Sequence, residues 1–348
     1  MFAADSKAVS ETDRPVHSWK QIIEPVEPFL DAVSHRLSRE VESFDAELIP
    51  YAEYALTGQG KHLRPALVAL TAEALGKPSE DHVTAAVIIE MIHLATLVHD
   101  DVMDEAEIRR GRLTLAANWG TEVAVLFGDC LFAQALKLAS GFPTTDVCRA
   151  VSAATNTVCS GEIIQTRHRR DFQFTRDRYF RVLEMKTAEL FAVSCELSAF
   201  LSDVSPEQIQ SLRRFGLAFG TAYQIYDDCV DLFGSEAVAK KSLGTDLEKG
   251  KLTLPVLVIH EKGTPADRTL LEELVRNWRP ENMRALSELL VRYDSLGESK
   301  RVMRHFLDKS RKELSPLPPS EGVHGLAGLT EYLARQTDLL GYAADTGV

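Results

Sequence analysis

Along most of the chain, apolar positions recur every three or four residues. From Trp19 to about Phe44, Ile22, Ile23, Val26, Phe29, Leu30, Val33 and Leu37 keep that spacing, which predicts a helix with one apolar face. Pro25 and Pro28 lie near its start, where proline kinks a helix or delays its first turn. A short helical piece over 48–56 comes next. The stretch TGQGKHLRP breaks the pattern with two glycines, and Pro65 suits the first turn of a helix running on to Leu75. Further helices are expected over about 81–105, 120–139, 145–170, 176–202 and 206–234. Ser205-Pro206-Glu207-Gln208 marks the last of these starts with a serine cap, proline at N1 and glutamine at N3. No alternating strand stands out, and Pro255 opens a helix across the apolar run 256–259. Thr264-Pro265 and Pro280 begin shorter helices, SPLPPSEG reads as a linker, and a last helix is expected over about 326–340. The pattern predicts an all-α protein, with residues 1–18 a disordered leader and 19–348 a single domain.

Composition narrows the class. The chain has 348 residues, enough for a large core, and a formal charge of −12. That charge argues against a nucleic-acid surface and leaves no polybasic membrane patch. The most apolar stretch, 85–98, is interrupted by Glu90 and His93 and is too short for a transmembrane segment. Five cysteines form no CxxC pair and no zinc spacing, so they read as reduced thiols of a cytoplasmic protein. The N-terminus lacks the apolar core of a secretory signal.

The chemistry concentrates in IHLATLVHDDVMDEAEIRRG, residues 92–111. On a helix, positions four apart lie about 40° from each other, so Asp100 and Asp104 share a face with Asp101 beside them. Like charges stacked in this way destabilise an isolated helix, which points to a cation held among them. Hard ions such as Mg²⁺ take one or two carboxylates plus waters and substrate phosphates. Arg109 and Arg110 follow, with planar forks suited to phosphate. The spacing returns in AYQIYDDCVDLFG as Asp227, Asp228 and Asp231. One such run alone is usually solvated surface. Two, each interrupting an apolar helix, suggest a cavity with carboxylates on opposite walls.

Other cations sit among apolar residues or near breaks. Lys61 and Arg64 stand at a helix start, where free N–H groups and the dipole favour an anion, although two solvated cations are the plainer reading. Lys186, beside Thr187 in LEMKTAELFA, lies on a mostly apolar helix face, from which a lysine stem can equally snorkel to water. In KKSLGTDLEKGKLTLP, Lys240, Lys241, Lys249 and Lys251 flank a glycine-containing loop that reads as a lid over anionic substrate or as an exposed charged loop.

As a whole this pattern resembles the trans-prenyl diphosphate synthases, the polyprenyl synthase family, over about residues 20–340. DDVMD with RRG resembles its first aspartate-rich motif and YQIYDDCVD its second. GKHLRP, EMKTAEL and GTDLEKGKLTLP resemble its remaining basic elements; Lys240 departs from the glycine often found before the loop lysine. The resemblance implies an isoprenoid-synthase bundle around a central cavity, usually a homodimer, with three Mg²⁺ between the acidic motifs. It implies that Asp100, Asp101, Asp104, Asp227, Asp228 and Asp231 hold Mg²⁺ on an allylic diphosphate such as farnesyl or geranylgeranyl diphosphate. Arg109, Lys186, Thr187, Gln224, Lys241 and Lys251 then contact that diphosphate. Lys61, Arg64, His93 and Arg110 hold isopentenyl diphosphate. The growing chain is expected to run along the helix before Asp100, with Thr96 and Ala95, then Ile92 and Met91, then Ile88 as its wall. Ala95 is small where short-chain members tend to be bulky, and ATLVHDD resembles long-chain synthases of quinone side chains, so a product of C30 or longer is expected. The alternatives are a geranylgeranyl or farnesyl diphosphate synthase, a terpene cyclase, and a non-catalytic subunit of a heteromeric synthase. Intact Lys61, Arg64 and Arg110 argue against the cyclase, and six intact aspartates against the subunit.

Overall fold

A computed structural model describes residues 18–56, 60, 62–234 and 243–341. The chain opens with α1 (Trp19–Ile23), whose start is closed by a capping box between Ser18 and Gln21. A 3₁₀ turn over Glu24–Val26 carries Pro25, and α2 (Glu27–Val41) follows with Pro28 in its first turn. The two prolines therefore divide the predicted first helix. Next come α3 (Ile49–Leu56), α4 (Leu63–Leu75), α5 (Glu80–Met103), α6 (Leu115–Trp119), α7 (Thr121–Ser140) and α8 (Asp146–Arg167).

The predicted helix over 176–202 is three pieces: α9 (Arg176–Leu183), a π-helical turn (Glu184–Ala188) and α10 (Glu189–Leu201). α11 (Pro206–Phe233) starts on the Ser205 capping box. The last third holds α12 (Thr245–Glu248), α13 (Leu254–Lys262), α14 (Pro265–Arg276), α15 (Met283–Arg292), α16 (Ser295–Glu313) and α17 (Glu321–Leu339). Two expectations need correction. A short antiparallel ribbon, Ile108–Arg109 against Arg112–Leu113, exists where no strand was foreseen. The last helix begins at Glu321, because Ser320 accepts from Val323 N–H and caps it five residues early.

α5 is the axis. Its Val87, Ile88, Ile89, Met91 and Ile92 are at most 2% exposed, and each such side chain contributes roughly 1.5–3 kcal/mol on burial. It packs against α7, α4 and α10, while α10 packs on α11 and α11 on α16. One apolar cluster fills the space among α2, α4, α5, α7, α10 and α11. A second joins the C-terminal half of α11 to α9, α13, α14, α15 and α16. By length and composition alone, α5 and α7 are apolar enough to cross a membrane. α5 is mostly buried in the bundle, whereas α7 leaves Val125, Leu126 and Leu136 exposed.

Candidate active site

The two acidic helix ends are joined by one short segment and one helix turn. The first link is the segment 244–251. Thr245 Oγ1 donates to Asp231 Oδ1 (2.6 Å) and Asp246 N–H to Asp231 Oδ2 (3.0 Å). Six and four residues on, Lys251 Nζ donates to Asp104 Oδ2 (2.7 Å), and Lys249 Nζ donates to the Asp104 carbonyl. The second link is the π turn. Lys186 Nζ lies 3.6 Å from Asp100 Oδ2, while Thr187 Oγ1 donates to Gln224 Oε1 (2.9 Å) on α11.

A π turn widens the helix by one residue, and such turns are frequent at functional sites. Here it lets consecutive residues, Lys186 and Thr187, reach opposite walls. Gly161 on α8 makes room for it: a Cβ there would sit 2.8 Å from Lys186 N and from Met185 Cβ. The next residue, Glu162, forms an ion pair with Lys186, and one turn on Gln165 Oε1 accepts from its Nζ (3.0 Å).

The six aspartates divide into two sets. Asp101 is buried and accepts from Arg109 Nε (2.6 Å); Asp228 accepts from Tyr179 Oη (2.6 Å) and Gln224 Nε2 (2.8 Å); Asp231 is tied down as above. These partners hold the three buried carboxylates in place. Asp100 and Asp104 are half-buried and Asp227 is exposed. Burial raises the Asp100 carboxyl, partly offset by Lys186. Burial also opposes ionisation of Asp104, but Lys251, Lys186 and Arg169 outweigh it and hold that carboxyl below its ordinary range. Asp228 is pushed well above its ordinary range, chiefly by burial and by Asp246.

The donors are hard oxygens. Among the described residues, no three His, Cys, Asp or Glu side chains converge to hold a metal by themselves. An ion here completes its shell with water and ligand phosphate, which suits Mg²⁺ or Ca²⁺ and not zinc.

A cationic pocket adjoins this site. Arg110 and Gly111 form the two-residue turn of the ribbon, with φ of 52° and 77°. Positive φ at both positions is the hairpin geometry that glycine eases. Tyr54 anchors the ribbon: its hydroxyl donates to Leu113 O (2.5 Å), and Arg112 stacks on its ring at 3.5 Å. Arg110 thereby reaches Gly60, where a Cβ would lie 2.9 Å from its Nη1. Arg64 lies over the Phe191 ring at 4.7 Å. Burial pushes the His93 imidazole well down, and Arg64, Arg110 and Arg109 add to the effect.

Of the expected site residues, Lys61 and Lys241, like Lys240, lie outside the described residues. Arg109 pairs with Asp101, Lys251 with Asp104, and Thr187 with Gln224. On α5, Ile88, Met91, Ile92 and Ala95 are buried and Thr96 is half-buried, its Oγ1 donating to His93 O (2.7 Å). Several contributors were not foreseen. Arg169 Nη2 donates to Asp104 Oδ1 (2.7 Å), and Tyr179, Glu162, Gln165 and Glu90 have no acidic or glycine-rich motif to flag them; His62 lies within GKHLRP but was not singled out. The basic run RHRR at 167–170 was the available signal for Arg169.

An all-α bundle with paired acidic helix ends and an adjoining cation pocket defines a class of enzymes acting on diphosphate esters. Comparison with known proteins makes it specific. The sequence profile "Polyprenyl synthetase" matches residues 45–292. The octaprenyl diphosphate synthase of Escherichia coli is 33% identical over 82% of this chain and 88% of its own length. The nonaprenyl diphosphate synthase of Mycobacterium tuberculosis is 33% identical over 87% of this chain and 93% of its own. A crystal structure of a polyprenyl synthase from Caulobacter crescentus, complexed with calcium and isoprenyl diphosphate, superposes with a TM-score of 0.86. That structure is 29% identical and covers 92% of this chain and 98% of its own. The chain belongs to the polyprenyl synthetase family and is a prenyltransferase. Its helical architecture is the isoprenoid-synthase fold.

Proposed function

We propose that this chain catalyses the Mg²⁺-dependent head-to-tail condensation of isopentenyl diphosphate onto an allylic diphosphate and gives a product of C30 or longer. The observation that carries the proposal is the double linkage of the two acidic helix ends, through 244–251 and through Lys186–Thr187. Bound Mg²⁺ ions, three by family resemblance, supply Lewis-acid neutralisation of the diphosphate leaving group. Asp100, Asp101, Asp104, Asp227, Asp228 and Asp231 are the carboxylates that would hold them. Arg109, Tyr179, Gln224 and Thr245 fix the three buried ones, Asp101, Asp228 and Asp231.

Lys186, Arg169 and Lys251 already lie against these carboxylates and stabilise charge on the departing oxygens as the allylic C–O bond breaks. The double bond of isopentenyl diphosphate attacks the allylic cation, forming the new C–C bond. A proton then leaves the adjacent carbon, and the departing diphosphate accepts it. Arg64, Arg110 and His93, with Lys61, orient the isopentenyl diphosphate. Apolar residues of α5 exclude water from the cation.

The product length rests on the small side chains at Ala95 and Thr96. It is also supported by the long-chain relatives, which are octaprenyl, heptaprenyl and nonaprenyl synthases. We place the enzyme in the cytoplasm, in keeping with its free thiols. A second copy covers the exposed apolar face of α7, giving a homodimer. One relative, from Bacillus subtilis, is a heptaprenyl synthase "component 2", which makes a heteromer the reading to test against.

The purified chain alone, with Mg²⁺, isopentenyl diphosphate and farnesyl diphosphate, is expected to yield polyprenyl alcohols of C30 or longer after dephosphorylation and chromatography. A C20–C25 product overturns the length, and no condensation overturns the self-sufficient enzyme.

A further inference from the structure

Beneath the cationic pocket lies one carboxylate that the reaction scheme does not use. Glu90 is 6% exposed on α5, one turn before His93. His62 Nδ1 faces its Oε1 at 3.5 Å, an ion-pair separation and not a short hydrogen bond. Among the described residues, neither His62 Nδ1 nor Arg64 Nε has a hydrogen-bond partner, although both are buried. His62 occupies the N-cap position of α4 in a left-handed conformation (φ 44°), and its side chain makes no cap bond. A non-glycine residue held there is strained. Neither helix capping nor backbone preference accounts for its placement.

The charged and titratable groups facing His62 come from every wall of this pocket. They are Glu90 and His93 on α5 and Arg110 from the ribbon, while Arg64 and Arg109 face His93. Tyr223 on α11 faces Arg64 and Arg110. The two histidines respond oppositely. The Glu90 contact raises the His62 imidazole against the opposing effect of burial, whereas burial and the arginines drive His93 well down. Near neutral pH, His62 is therefore the pocket's adjustable charge.

We propose that His62 is a pH-dependent positioning residue of the isopentenyl diphosphate pocket. Protonated and held by Glu90, it adds positive charge beside Arg64 and Arg110. Deprotonated, it weakens this pocket and leaves the allylic site unchanged. The inference deepens the proposed function and rests on it, since it assigns one of the two diphosphates to this pocket.

The test measures KM for each substrate from pH 6 to 8.5 with wild type, His62→Gln, His62→Arg and Glu90→Gln. The allylic substrate carries the same diphosphate group, so its KM corrects for ionisation of the substrates themselves. In wild type, the ratio of isopentenyl to allylic KM is expected to rise about tenfold with pH, the size of one lost charge-assisted contact. His62→Gln holds the ratio high and flat, and His62→Arg holds it low and flat. Glu90→Gln moves the rise to lower pH. The inference is overturned if His62→Gln keeps the wild-type pH dependence, if both KM values move together, or if His62→Arg behaves like His62→Gln. Condensation that proceeds with a pH-independent ratio overturns the inference alone; its absence in wild type overturns the functional reading as well.

Discussion

Replacing Gly161 with alanine displaces the π turn without altering any side chain that touches substrate. The added Cβ meets Lys186 N and Met185 Cβ at 2.8 Å, where ordinary contact begins at 3.4 Å. α8 and the π turn must therefore separate by about 0.6 Å along that line, since interiors this dense relax only partly. Overpacking of this kind costs typically about 1–3 kcal/mol. In a domain of this size, each kcal/mol lowers Tm by roughly 2–4 °C or less.

The functional cost is separate. A misplacement approaching 1 Å can lower a rate up to about 10²-fold, and both Lys186 and Thr187 ride on the displaced turn. Steady-state condensation at 25 °C is expected to show kcat reduced about 10- to 100-fold, with KM for isopentenyl diphosphate little changed. Gly322→Ala is the comparison: its Cβ runs into the Ala74 backbone and Leu70 carbonyl on α4, well along that helix from Arg64. It is expected to lower Tm without lowering kcat. Wild-type kcat in folded Gly161→Ala, or an equal loss in Gly322→Ala, refutes the claim that the π turn places the reactive cations.

Three other outcomes follow from the same geometry. His82 is 2% exposed, accepts from Ser79 N–H (3.1 Å) and pairs with Ser198 O, and burial lowers its pKa. The unfolded imidazole takes up a proton below about pH 6.5 while the folded one resists, so this stability is present above that pH and is lost toward the folded pKa. Urea melts should show the stability falling by up to about 1.4 kcal/mol per pH unit there, with His93 adding in the same direction. A His82→Gln variant with an unaltered slope contradicts this. Leu126→Arg, at a position 65% exposed on α7, is expected to shift sedimentation from dimer to monomer; an unchanged dimer places the interface elsewhere. Ala95→Tyr, or Thr96→Tyr where the buried alanine site does not tolerate the ring, should shorten the product by one or more isoprene units. An unchanged product profile in both moves the wall off this helix.

The sequence made the helical fold legible because three- to four-residue apolar spacing persists through α2, α5, α10 and α11. The caps at Ser205 and Pro255 located starts within a residue or two. What escaped has a local cause in each case. The ribbon at 108–113 is too short for alternation to register, and its turn is marked only by Arg110-Gly111. The π turn leaves the apolar period almost unaltered, so 176–202 read as one helix. α16 went unnoticed because most of its residues are polar and only Met303 and Leu307 are buried apolar anchors.

The acidic and basic motifs announced themselves through spacing. The division among the six aspartates did not, since it depends on Arg109, Tyr179 and Thr245 arriving from elsewhere. Glu90 could have been suspected, as a carboxylate inside an apolar helix always needs a partner.

The central claim is that two distant acidic helix ends work as one clamp. Turnover should be measured for Asp100→Ala, Asp227→Ala and the pair together, with saturating Mg²⁺ and both substrates. Groups acting as a unit are strongly non-additive, so each single change is expected to cost several orders of magnitude and the pair scarcely more. Retained turnover in either single variant, or a double loss equal to the product of the two, contradicts the clamp.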